Sequence, residues 1–194
     1  MTPILLWDVM GTLVHDPFFI EMPRFFGMTF DDLLEAKHPK AWVEFERGER
    51  SEEEFLEGFF ADRREFDRKS FVQSVRSSYR WIPGMEELLR ELREAGCSMH
   101  AFSNYPIWYR LIEERLRLSR FLEWTFVSCL TGFRKPEPAA YVHVLQELSV
   151  APDRCLFIDD RPRNCEAARQ EGIHSIVFEG AAQLRSSLER MGVL

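Results

Sequence analysis

Three aspartates, a lysine and a serine stand where runs of apolar, strand-like residues end. Asp8 follows Ile4–Trp7, Ser103 and Asn104 follow Ser98–Phe102, and Asp159 and Asp160 follow Cys155–Ile158. Lys135 lies in TGFRKPEP, the loop beyond Trp124–Ser128. In an open α/β sheet, ligands bind beyond the carboxyl ends of the strands, so these groups converge on one edge. One such aspartate alone reads as a solvated loop residue; the set at successive strand ends reads as a site. Its three carboxylates repel and raise one another's pKa unless a cation joins them. An all-oxygen set suits a hard divalent ion, and magnesium is the one that keeps waters and binds phosphate oxygens. Lys135 supplies a second positive charge that can orient Asp8 and neutralise a transferring phosphoryl group. Thr12, Ser103 and nearby backbone N–H groups can hold the remaining equatorial oxygens. Such an electrostatic clamp is the main requirement of phosphoryl transfer. A carboxylate nucleophile then divides the reaction into formation and hydrolysis of an aspartyl phosphate.

The elements that must position these residues follow from periodicity. Met85, Leu88, Leu89 and Leu92 form one apolar helix face, which Gly96 is placed to end. Trp108, Leu111 and Ile112 begin a second stripe, Tyr141, Val144, Leu145 and Leu148 form a third, and a further helix runs from about Pro162 to Glu171. Ser175–Phe178 makes a last strand. Alternation of this kind specifies a parallel sheet covered on both faces. Residues 17–82 differ: they read as helical and hold 11 of the 17 phenylalanines. The predicted organisation is an α/β core of residues 1–16 and 83–194 with an all-helical cap, 17–82, inserted after the first strand.

These residues resemble the four motifs of the haloacid dehalogenase superfamily. LLWDVMGTLV is similar to the first, FSN to the second, RKPEP to the third and FIDDRPRN to the fourth. The resemblance implies a Rossmann-like sheet with a helical cap, and a magnesium-dependent phosphatase. It implies Asp8 as nucleophile and metal ligand, with Lys135 steadying the nucleophile and the phosphate. Thr12, Ser103, Asn104 and Lys135 fall on the phosphate side. Asp160 becomes the direct metal ligand, Asp159 its support from behind or through water, and Met10 a ligand through its backbone carbonyl. Asn164 either orients the fourth motif or caps its helix.

Met10 departs from the pattern. The superfamily's phosphatases place a general-acid Asp there, and a thioether moves no proton. Two alternatives follow: a metal-free 2-haloacid dehalogenase, or a catalytically silent protein that binds or regulates. Against both, paired carboxylates are costly in a fold that gives them no ligand. DPFF, RFFGM, KHP, EFERG, SNYPIWY, WTFVSC and DDRPRN further resemble a plant and algal group of flavin mononucleotide hydrolases, which implies that Met10 marks a subgroup. Phe18, Phe19, Phe25, Phe26, Trp42 and Phe45 are then candidates to line a slot for a flat ring, although filling a helical interior is the commoner use of phenylalanine. Tyr105 and Trp108, just after the second motif, are candidates to touch the leaving group.

The site and the resemblance imply a small phosphate ester as partner, and composition argues against larger ones. A formal net charge of −7 argues against a nucleic-acid surface. No apolar run approaches the roughly 20 residues of a membrane helix. The four cysteines show no metal spacing and read as small buried residues of a reducing compartment. The five histidines likewise show no ligand spacing, and Arg161 and Arg163 read either as phosphate-attracting or as solvated charges. MTPILLWD runs straight into a strand, which predicts an intracellular, soluble protein of the cytoplasm, or of the plastid stroma if a transit peptide has been removed. Oligomeric state leaves no signal in the sequence.

Overall fold

A computed structural model describes residues 2–194. Five parallel strands, β1 (Ile4–Trp7), β2 (Met99–Ser103), β3 (Glu123–Val127), β4 (Cys155–Asp159) and β5 (His174–Val177), pair in the order β3-β2-β1-β4-β5. Five helices lie between β1 and β2 before the helix that crosses back to the sheet: α1 (Glu21–Phe26), α2 (Phe30–Ala36), α3 (Ala41–Glu46), α4 (Glu52–Glu57) and α5 (Arg68–Ser78). The crossover helices follow as α6 (Met85–Glu94), α7 (Tyr109–Leu116), α8 (Ser128–Thr131), α9 (Pro138–Leu148), α10 (Pro162–Gln170) and α11 (Ala181–Arg190). The chain builds outward from β1 to β3, then returns to the other side of β1 for β4. The strand order therefore reverses at β1, the point where such sheets bind ligands.

Side chains alternate across each strand, and the core divides accordingly. Leu5 and Trp7 face one layer with Met85, Leu88, Leu89 and Leu92 of α6, whereas Leu6 faces the other with Tyr141, Val144, Cys165 and Ala168. The predicted α6 face is thus the buried one, and Gly96 ends the helix at φ 79°. Most strand and helix bounds fall within one residue of those expected. α11 is an addition: AAQLRSSLER offers only Leu184 and Leu188 to the core, a stripe too narrow to stand out in the sequence.

Four of the five helices between β1 and α6 have only six or seven residues, too few to persist unaided. Capping boxes start two of them, at Thr29 with Asp32 and at Ser51 with Glu54. Aromatic packing holds the rest. Phe26 meets Phe59, Phe60, Phe66 and Phe71, and Phe45 stacks on Phe55 with centroids 4.4 Å apart. This interior is continuous with the α6 face of the sheet, joined through Tyr105 and Trp108. Among the described residues no helix is long and apolar enough to cross a membrane.

Candidate active site

Strand β1 delivers Asp8 at the centre of the sheet edge, its amide donating to the Ile158 carbonyl at 2.9 Å. β4 ends beside it with Asp159, and the loop after β3 brings Lys135 over both. The Lys135 ammonium is 1% exposed and donates to Asp8 Oδ1 at 2.9 Å and Asp159 Oδ2 at 2.7 Å. Its Nζ also lies 5.1 Å and 4.9 Å from the ring centroids of Phe102 and Phe157, an aromatic seat for a buried cation. Burial works against this ammonium, but Asp159 and Asp8 outweigh it and hold its pKa above the usual lysine range. The Asp8 pKa also rises, from its ordinary 3.8, but there burial is the cause and the neutral form gains. Burial pushes it up to about 7, with Lys135 pulling down and Asp159 and Asp160 pushing up.

The two adjacent aspartates of the fourth motif are placed very differently. Asp159 is fully buried and saturated. Its Oδ1 accepts from the Arg161 amide at 2.8 Å and its Oδ2 from Lys135, while Asn164 Nδ2 reaches both oxygens at 3.1 and 2.9 Å. Asp160 is half-buried, and its buried Oδ1 has no partner among the described residues. Burial, then Asp159, raises its pKa. One oxygen each from Asp8, Asp159 and Asp160 lie within 4.8 Å of one another, the geometry of a cation site. Gly11 makes this approach possible. It adopts φ 85°, and a Cβ there would stand 2.7 Å from Asp160 Oδ2.

The polar groups around this cluster divide into free and engaged. Ser103 Oγ, at the end of β2, is buried and has no hydrogen-bond partner among the described residues. Thr12 Oγ1 instead donates to Asp8 Oδ2 at 3.3 Å and accepts from the Asp160 amide at 3.1 Å, tying the first motif to the fourth. Asn104 spends its side chain on the Lys135 backbone, donating to the carbonyl at 2.7 Å and accepting from the amide at 2.8 Å. Asn164 acts on Asp159, so its role is orientation of the loop rather than capping.

A cleft of about 210 Å³ opens above these residues, between the sheet edge and the helical segment. Its floor carries Met10, Asn104, Tyr105 and Arg161; Phe18, Leu34, Lys37, Trp42 and Glu46 face it from the helices, with Asp16 and Arg134 at the side. Phe18 and Tyr105 therefore lie where the sequence predicts. Trp108 does not: it is 1% exposed, packs on Phe45 and Phe55, and donates to Glu52. Phe19 is 52% exposed and outside the cleft lining, while Phe25, Phe26 and Phe45 fill the helical interior. The helical segment is pinned over the site through α3. Glu46 is buried, accepts from Trp42 Nε1 and from Arg134 Nε at 2.7 Å, and offers its carbonyl to Ser128 Oγ at 2.6 Å. Arg47 pairs with Glu137 just beyond, and Gly48 comes so close that a Cβ would meet the Cys129 carbonyl at 2.6 Å. Asp16, Lys37, Glu46 and Arg134 were not singled out by the sequence, which holds no local signal that a helix 90 residues away docks on the Lys135 loop.

The profile of the haloacid dehalogenase-like hydrolase family matches residues 3–172. The chain belongs to this family. It is 48% identical over 191 residues to flavin mononucleotide hydrolase 1 (chloroplastic) of Arabidopsis thaliana, covering 98% of this chain and 78% of that protein. A phosphoglycolate phosphatase of Pseudomonas putida is 28% identical over 95 residues, 48% of this chain and 35% of its own length. In fold, the protein is similar to a haloacid dehalogenase family enzyme of Bacteroides thetaiotaomicron solved with magnesium and inorganic phosphate, at TM-score 0.74 and 19% identity over 93% of this chain and 96% of that one.

Proposed function

We propose that the protein is a magnesium-dependent phosphate monoester hydrolase that works through an aspartyl phosphate on Asp8 and takes flavin mononucleotide as substrate. The observation that carries the reaction class is the contrast within the fourth motif. Asp159 has both oxygens satisfied, whereas Asp160 keeps a buried oxygen with no donor among the described residues. A buried carboxylate oxygen left in that state is costly, and a hard divalent ion is the partner its surroundings fit. Asp8, Asp160 and the Met10 carbonyl are the groups to hold it, with Asp159 bracing them from behind. When bound, magnesium supplies the charge that neutralises the carboxylates and the phosphate oxygens they face.

The chain's own residues do the rest. Lys135 holds Asp8 Oδ1 toward the site and pulls against the burial that favours its neutral form. Ser103 Oγ donates to a phosphoryl oxygen, the partner it lacks among the described residues. Thr12 and Asn104 contribute by fixing Asp8 and Lys135. A metal-free dehalogenase would leave Asp160 unexplained, which disfavours that alternative.

The substrate reading rests on the 48% identity to the Arabidopsis flavin mononucleotide hydrolase and on the cleft. Residues 17–82 act as a cap whose Phe18, Leu34 and Trp42 offer apolar surface to a flat leaving group, with Lys37 among them. The same relative supports a plastid location. Steady-state hydrolysis of flavin mononucleotide and of glycerol phosphate tests the reading, with much the higher kcat/KM expected for the flavin. Equal efficiency on the two esters would contradict it.

A further inference from the structure

Departure of an alkoxide from phosphorus needs a proton, and Met10 offers none. The cleft answers where one comes from, because its floor is made of the immediate neighbours of the reacting groups. Met10 lies two residues beyond Asp8, Asn104 follows Ser103, and Arg161 follows Asp160. A leaving group passing out of the site crosses this floor.

The cleft has few groups that can exchange a proton with it. Burial raises the pKa of Glu46 against the pull of Arg134 and Trp42, but both of its oxygens are engaged, one by Trp42 Nε1 and the other by Arg134 Nε. The Tyr105 hydroxyl is buried against the Tyr79 hydroxyl at 2.8 Å. Lys37 stands at the cap end, its ammonium 5.9 Å from the Phe18 ring centroid. Asp16 is the remaining acid. Its Oδ1 accepts the Phe18 amide at 2.9 Å, and nothing among the described residues hydrogen-bonds its Oδ2.

The backbone fixes this carboxyl in place. After Asp8 the chain turns back on itself, Met10 bridging to Val14 and Val14 to Trp81. The His15 amide donates to the Arg80 carbonyl and the Ile82 amide to the Leu13 carbonyl, both at 2.9 Å. Asp16 leaves this clamped segment at the side of the cleft whose floor carries Met10. We infer that Asp16 is the general acid of the reaction, giving its proton to the departing ester oxygen and regaining one from the water that attacks the phosphoenzyme.

In the first step Asp8 forms a P–O bond, the ester P–O bond breaks, and the Asp16 proton moves to the leaving oxygen to give the free alcohol. In the second, water adds to phosphorus, its proton returns to Asp16, and Asp8 leaves as carboxylate with inorganic phosphate. Burial favours this cycle by raising the Asp16 pKa, against the Phe18 amide and the charges of Arg161 and His15 and with that of Glu21.

The assignment rests on the phosphatase reading, and its test separates the two. Flavin mononucleotide is an alkyl phosphate, whereas para-nitrophenyl phosphate releases a stable phenolate that needs no proton. Asp16→Asn keeps an acceptor for the Phe18 amide. It should lose about 10²–10⁴-fold in kcat on flavin mononucleotide. On para-nitrophenyl phosphate it should still release one nitrophenolate per enzyme in a fast burst, then turn over slowly because the phosphoenzyme has lost its base. Adding Met10→Asp to this variant should restore turnover of the alkyl ester. An unchanged rate on flavin mononucleotide, or an equal first-turnover loss on both esters in a protein with wild-type Tm, overturns the assignment alone. If Asp16→Asn does not fold, Asp16→Ser, which also accepts the Phe18 amide, carries the same comparison. A wild-type protein inactive on both esters removes the phosphatase reading and this assignment with it.

Discussion

Lys135 and Asp159 form the fixed half of the site: a 2.7 Å bond between two side chains that are 1% and 0% exposed. Asp8, at 2.9 Å from the same ammonium, is the half proposed to react. The lysine therefore balances one carboxylate permanently and leaves the other poised near neutrality.

Removing it should be costly in two ways. Lys135→Met keeps the length and apolar seat against Phe102 and Phe157 but leaves three carboxylates without a local cation. The expected loss of stability is about 3–5 kcal/mol in chelator at neutral pH. Magnesium should recover part of it, and turnover should fall to background. Urea unfolding with and without magnesium measures both; an unchanged midpoint would contradict the ion-pair account.

Magnesium binding should depend on pH through Asp8. With a folded pKa of about 7 against an ordinary 3.8, metal-free Asp8 contributes stability that is complete below the ordinary value and is lost as pH rises through about 7. A cation takes the ionised form, so below about 7 it must displace a proton, and its affinity falls by up to about tenfold per pH unit. The rise in Tm produced by magnesium should therefore be larger at about pH 8 than at about pH 6. Asp8→Asn should lack the Asp8 part of this dependence. Equal rises at both pH values would contradict it.

Gly11→Ala tests the close approach of the first and fourth motifs. Its Cβ would fall 2.7 Å from Asp160 Oδ2 at a backbone φ of 85°. Strain of this sort costs about 1–3 kcal/mol, and Asp160 must shift. Magnesium affinity should weaken more than stability does, as titration calorimetry on the folded variant would show. Wild-type affinity would mean that Asp160 is not a ligand.

The parallel sheet and the groups at its edge were legible because they are local: a buried strand announces itself by composition, and the residue leaving it lies on the binding edge. The resemblance to the superfamily motifs added roles to positions already marked. What escaped was set by contacts distant in sequence. Nothing in EFERG indicates that Glu46 will bury its carboxylate against Arg134, and nothing in SNYPIWY that Trp108 will turn away from the cleft into the aromatic interior. Nothing in DPFF marks Asp16 either, because its place in the cleft lining is set by the bonds of His15 and Leu13 to Arg80 and Ile82.

Phe18 lines the cleft and has no hydrogen-bonding side chain whose loss would complicate its removal. Phe18→Ala should lower the ratio of kcat/KM for flavin mononucleotide to that for glycerol phosphate by about tenfold, through lost stacking and burial around the ring. A ratio that does not move would place the flavin elsewhere.

The claim on which all this depends is that Asp8 attacks phosphorus in a site completed by magnesium. Initial rates of flavin mononucleotide hydrolysis by the wild type and by Asp8→Asn, each with magnesium and with excess chelator, test it most directly. The account predicts turnover in one case only, the wild type with magnesium, from two proteins of the same fold by circular dichroism. Wild-type turnover that survives the chelator, or turnover retained by Asp8→Asn, would contradict it.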